Sequence, residues 1–218
     1  MIGDNGKGGR DRMYEKMIAV TNRHLVLEEP EDKAVDTGAE WSEAYIRQLE
    51  YIASLHPKAM VLREKDLSEE KYEELAKVVI PLCQQAETTL ILHRFTKAAE
   101  HLGYHKLHLP LDMLKTMGRP AGLTLLGTSI HSVEDAKAAE SLGADYLFAG
   151  NIFETDCKKG LPGRGLEFLE RVCKEVTIPV YAIGGITKEK MPRILETGAA
   201  GGCMMSGFMQ LKNHENDC

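Results

Sequence analysis

No C-x-x-C pair occurs in this chain, whose five cysteines are Cys83, Cys157, Cys173, Cys203 and Cys218. An odd, irregularly spaced set indicates neither a disulfide framework nor a zinc knuckle, and a reducing, cytoplasmic setting is expected. Basic charge is not in excess. The 27 Lys and Arg residues face 33 Asp and Glu, a net of −6, so no nucleic-acid or membrane-surface partner is expected. No apolar run approaches the ~20 residues that span a bilayer. The opening stretch, MIGDNGKGGRDRMYEK, lacks the apolar core of a secretory signal, and residues 1–16 read as a flexible, glycine-rich leader.

What is present is a regular alternation. Eight short apolar runs (17–21, 59–63, 89–93, 106–109, 123–127, 146–150, 179–183 and 201–205) are separated by segments of helical period, including 42–55, 68–85, 132–143, 165–176 and 187–198. Ser68, Ser132 and Thr187 stand where helix N-caps belong, and Gly103, Gly118, Gly143 and Gly198 stand where helices close. Strands apolar almost throughout call for a parallel sheet covered by helices. A doubly wound sheet would carry a glycine-rich fingerprint after its first strand, but Thr21-Asn22-Arg23 stands there. The expected fold is a single (β/α)8 TIM barrel over residues 17–212, with a short C-terminal helix, an acidic loop at 27–40 and a tail at 213–218.

Barrel chemistry sits on the loops leaving the C-terminal strand ends. Those ends offer Arg63, Glu64 and Lys65, then His93 and Arg94, then His108, Ser129 and His131. After the sixth strand comes NIFETDCKKGLPGRG (151–165), with Asn151, Glu154, Thr155 and Lys158 as candidate contacts. Gly184 and Gly185 after the seventh strand, with Ser206 and Gly207 after the eighth, offer bare N–H groups for a phosphate. Arg63 and Lys65 alternate, so both can face one ligand, or they can form a solvated terminus paired to Glu64. His101, His105 and His108 resemble a ligand cluster, but alternation sends 105 and 108 to opposite faces, so no metal site is expected. Cys157 lies beside two lysines without a paired base, which weighs against a nucleophile.

Taken in order, LREK (62–65), Ser129, GNIFETDCKKG (150–160), AIGGI (182–186) and MMSG (204–207) resemble the thiamine phosphate synthase and TenI superfamily over residues 17–208. The resemblance implies a thiazole phosphate ligand and one of two activities. A synthase joins hydroxymethylpyrimidine diphosphate to the thiazole phosphate, with Mg²⁺ assisting loss of pyrophosphate. A TenI-like tautomerase moves a proton to aromatise the ring and needs no metal. The synthase pattern wants Gln at position 61, Asn-Asp at 93–94 and GQxD after the fourth strand. Here stand Val61, His93-Arg94 and PLDM (110–113), with Asp112 displaced by one position. The loop FETDCKKG and Leu109-Pro110 are similar to the TenI branch, yet Asn151 occupies the place of its proton-shuttling histidine. The favoured expectation is a tautomerase using His93, His108 or Glu154 with Asn151 orienting the substrate. A Mg²⁺-dependent synthase and a non-catalytic phosphate-ligand binder are the alternatives, and a homo-oligomer is possible.

Overall fold

The computed structural model describes residues 13–26, 41–155, 160 and 162–212. Eight parallel strands close into a barrel: β1 (Met17–Val20), β2 (Ala59–Leu62), β3 (Leu90–His93), β4 (Lys106–Pro110), β5 (Leu125–Ile130), β6 (Tyr146–Gly150), β7 (Val180–Ile183) and β8 (Gly201–Met204). Closure is made by β8 against β1, with Ile18 opposite Cys203 and Ala19 opposite Met204. The outer layer comprises α1 (Glu43–Ser54), α2 (Glu69–Gln85), α3 (Thr96–His101), α4 (Leu111–Met117), α5 (Val133–Ser141), α6 (Gly165–Glu175), α7 (Met191–Glu196) and α8 (Ser206–Met209). The short C-terminal helix is α8, whose Phe208 and Met209 are buried.

Strand period divides the core in two. Met17, Met60, Leu62, Leu92, Leu107, Leu126 and Leu147 point outward to the helices. Ile18, Val20, Val61, Ile91, Tyr146, Phe148, Tyr181 and Cys203 fill the barrel interior. Continuing the same alternation past Val61 and Ile91 brings Arg63 and His93 to the inner face at the C-terminal rim. The interior also explains Gly127: a Cβ there would lie 2.0 Å from Cζ of Tyr146. Gly127→Ala is therefore expected to cost about 1–3 kcal/mol by overpacking, measured by urea unfolding, and to push Tyr146 from its place.

Three expectations need correction. Residues Tyr14–Lys16, assigned to the flexible leader, form a turn of 3-10 helix, and Tyr14 is buried with its ring 5.5 Å from that of Phe208. β5 runs three residues further than its apolar run, because Ser129 and Ile130 pair with Phe148 and Ala149 of β6. Thr187 makes no side-chain cap; a 3-10 turn (Lys188–Lys190) precedes α7 instead of one continuous helix. Ser68 and Ser132 do cap, accepting from the backbone N–H groups of Lys71 and Asp135. His101 pairs with Glu73, and His105 is exposed away from His108. The loop at 27–40 and the tail at 213–218 lie outside the described residues.

Candidate active site

The rim is held by buried polar groups that order the strand ends. Glu64 is 1% exposed, and a carboxylate so placed is tolerable only when its oxygens are bonded. It accepts from Thr21 Oγ1 (2.7 Å), Tyr45 Oη (2.9 Å), the Arg23 backbone N–H (3.1 Å) and Arg23 Nη1 (3.3 Å). Thr21 Oγ1 in turn accepts from the Arg63 backbone N–H at 2.9 Å, so this network fixes where Arg63 starts. Arg23 also grips Asp66 with both terminal nitrogens, at 2.9 and 2.6 Å. That fork, with His24 beside it, holds the Asp66 carboxyl well below the usual carboxylate range. On the next strand, Tyr72 of α2 donates to Leu62 O (2.6 Å) and accepts from the His93 N–H (2.8 Å). One buried hydroxyl thus ties β2 to β3 just below the rim.

With Glu64 and Asp66 engaged elsewhere, Arg63, Lys65 and Arg94 have no ion-pair partner among the described residues. The alternative of a terminus paired to Glu64 is therefore not what forms. Arg63 is half-buried; Lys65 and Arg94 are exposed.

Inside this cationic rim lies a chain of hydrogen bonds. His108 is buried, with Nδ1 3.1 Å from Tyr146 Oη and Nε2 2.9 Å from Ser129 Oγ. His93 stacks on His108 at 5.7 Å between ring centroids. Its Nδ1 is buried and has no hydrogen-bond partner among the described residues. Burial pushes His93 down to about 3, and the charges of Arg63, Arg94 and Lys65 push the same way. Burial, then His93 and Arg63, hold His108 well below the ordinary histidine value. Both imidazoles are therefore neutral at pH 7.

This has a measurable consequence for stability. The unfolded histidines take up protons near pH 6.5, whereas the folded ones resist until far lower pH. Below about 6.5 the unfolded chain then binds more protons, so stability present above that value is lost as pH falls toward 3. The expected slope is about 1.4 kcal/mol per pH unit for each histidine, read from urea unfolding at stepped pH; His93→Asn should shed one such contribution.

The opposite side of the mouth is built from the loops after β6 and β7, which pack on each other. Ile152 N–H donates to Ile183 O (2.9 Å) and Phe153 N–H to Gly184 O (3.0 Å). Gly184 and Gly185 have φ of 97° and 64°, in the left-handed region that glycine occupies without strain. Added Cβ atoms would lie 2.6 Å from Asn151 Cβ and 2.4 Å from Glu154 O. Asn151 is buried, with its Nδ2 3.5 Å from Phe153 O, whereas Glu154 is exposed and Thr155 half-buried. Ser206 and Gly207 are exposed at the start of α8. Lys158 lies outside the described residues. Two contacts escaped sequence reasoning: Lys190 Nζ donates to Gly185 O (2.6 Å), and His131 Nδ1 meets Gly150 O (2.7 Å).

The residues do not fit the Mg²⁺ site that a synthase resemblance implies. Magnesium asks for an octahedron of oxygen ligands. At the β3 exit stand an imidazole and a guanidinium, and Asp112 is exposed on the first turn of α4. Among the described residues no group of three or more His, Cys, Asp or Glu could hold a metal ion.

The sequence model of a family described as thiamine monophosphate synthase matches residues 34–208. The chain belongs to that family. A thiamine-phosphate synthase from Caldivirga maquilingensis is 38% identical over 143 residues, covering 63% of this chain and 68% of the relative. Thiamine-phosphate synthase 2 from Streptococcus pneumoniae is 31% identical over 180 residues, covering 79% and 84%. Among solved structures, the thiamine phosphate pyrophosphorylase from Pyrococcus furiosus aligns with a TM-score of 0.72 and 26% identity over 92% of this chain and 90% of that one. These relatives carry the synthase name, which weighs against the leaning toward the TenI branch drawn from the β6 loop. Among the described residues no helix is long and apolar enough to cross a membrane.

Proposed function

We propose that this chain is a transferase of the thiamine-phosphate synthase type, coupling a pyrimidine-methyl diphosphate to a thiazole phosphate. One observation carries the reading: the inner rim offers cations without ion-pair partners among the described residues and two imidazoles held neutral, both far from a working acid–base pair. A tautomerase must lift and return a proton at the ring, and efficient general catalysis wants a pKa near the working pH. His93 at about 3, a more deeply buried His108 and the Asn151 amide supply none, and the remaining candidate, Glu154, has an exposed side chain. Coupling asks for something else.

In coupling, the thiazole ring nitrogen forms a bond to the methylene carbon with its own lone pair. The C–O bond to the diphosphate breaks, and the leaving pyrophosphate takes the electron pair. No proton needs to move at the reacting atoms, and the barrier is lowered by groups placed where negative charge develops. Arg63 and Lys65 would receive the diphosphate, and Ser129, its hydroxyl fixed by His108, would orient the pyrimidine between them. Gly184 and Gly185, with Ser206 and Gly207 after β8, would hold the thiazole phosphate, with Thr155 as a further contact and Lys158 as a sequence-based candidate. Asn151 would set the ring by hydrogen bonding.

The test is steady-state pyrophosphate release. With both substrates, pyrophosphate is expected at a rate proportional to enzyme, and with either substrate alone none. Absence of release at high enzyme concentration would overturn the reading; conversion of an isomeric thiazole phosphate in the same tube would restore the tautomerase.

A further inference from the structure

Arg94 stands at the centre of an imbalance in charge. β2 and β3 pair with Leu62 opposite Leu92, so Arg63 and His93 are the next residues along and stand side by side at the barrel mouth. Lys65 follows two residues after Arg63. The Arg94 N–H donates to His108 O at 3.0 Å, which pins the chain leaving β3 to β4 and goes with a φ of 73°. Three cations thus leave adjacent strand ends, and like charges so placed repel. Among the described residues the acids near them are already committed, Glu64 to Thr21, Tyr45 and Arg23, and Asp66 to Arg23 and His24. Beside the cations is a second signal: the buried, unpartnered Nδ1 of His93. A polar atom left unbonded at such depth is costly unless a ligand completes it. A multiply charged anion would satisfy both features at once. A divalent cation is disfavoured, since it would meet three positive side chains and, among the described residues, too few oxygen donors.

We infer that Arg94, together with Arg63 and Lys65, binds a diphosphate group directly, so that this chain needs no divalent ion to hold it. The role of that group as a leaving group rests on the coupling reading above; its binding does not. Guanidinium groups suit the task, because their planar fork meets two oxygens at once and stays charged at every working pH.

The experiment is calorimetric titration of the full chain with inorganic pyrophosphate, in EDTA and again with MgCl₂. Binding is expected in EDTA, without tightening when Mg²⁺ is added. Arg94→Ala should weaken it at least tenfold with an unchanged melting temperature, since that side chain is exposed. The double variant His93→Asn with Arg94→Asp should lose binding in EDTA and regain it with Mg²⁺. Binding by the parent only when Mg²⁺ is present would overturn the inference, as would an Arg94→Ala variant that binds like the parent. Pyrophosphate bound in EDTA without any coupled product would sink the coupling reading and leave this site standing. Coupling with Mg²⁺, together with pyrophosphate binding only in its presence, would do the reverse.

Discussion

Arg63→Ala is expected to lower kcat/KM for coupling by about 10²–10³, the usual loss when one group that stabilises developing charge is removed. Melting temperature should hardly move. The side chain is half-buried and has no ion-pair partner among the described residues, so the fold loses little when it goes. Its backbone stays in place, because the Arg63 N–H bond to Thr21 Oγ1 does not involve the side chain. A steady-state assay beside thermal melting separates the two quantities. A rate within threefold of the parent would remove Arg63 from the site.

Glu64→Ala should do the opposite, striking stability first. It leaves Thr21 Oγ1, Tyr45 Oη and the Arg23 backbone N–H without their acceptor, and both side-chain hydroxyls are buried. Removing one member of a buried charged network costs about 3–5 kcal/mol. Against a typical total of about 5–15 kcal/mol, that loss is large enough to read directly from urea unfolding. Glu64→Gln keeps an acceptor oxygen and should cost clearly less. If Glu64→Ala unfolds at the same urea concentration as the parent, the network is not what orders the β2 exit.

The barrel itself was legible in the sequence because a buried parallel strand needs almost every side chain apolar, and eight such runs occur in regular alternation with helices. β5 was cut short because the alternation continues through polar residues: Thr128 turns out to give its hydroxyl to Leu109 O, and Ser129 turns in to meet His108. Gly184 and Gly185 follow β7 directly, as the sequence pattern implies, and both have positive φ. Their local reason, visible only in three dimensions, is the close approach of the β6 loop.

Glu64 shows why the rest was hidden. Flanked by Arg63 and Lys65, it reads as surface charge, yet its partners Thr21 and Tyr45 lie 43 and 19 residues away. No periodicity or spacing reports such pairings. Tyr72 is the same case, an ordinary inward residue of α2 by its pattern, whose hydroxyl proves to join two strand ends. The histidines do stand at the strand ends their positions implied, but their neutrality depends on burial and on cations from neighbouring strands. That changes the chemistry assigned to the rim, from moving a proton to holding charge.

The central claim is that this rim transfers a pyrimidine-methyl group and releases pyrophosphate. Phosphorus NMR of a single turnover, with enzyme in excess over both substrates, tests it most directly. The expected spectrum loses the diphosphate ester doublets and gains free pyrophosphate, one per thiazole phosphate alkylated. An unchanged diphosphate ester, whether or not the thiazole signal moves, would contradict it.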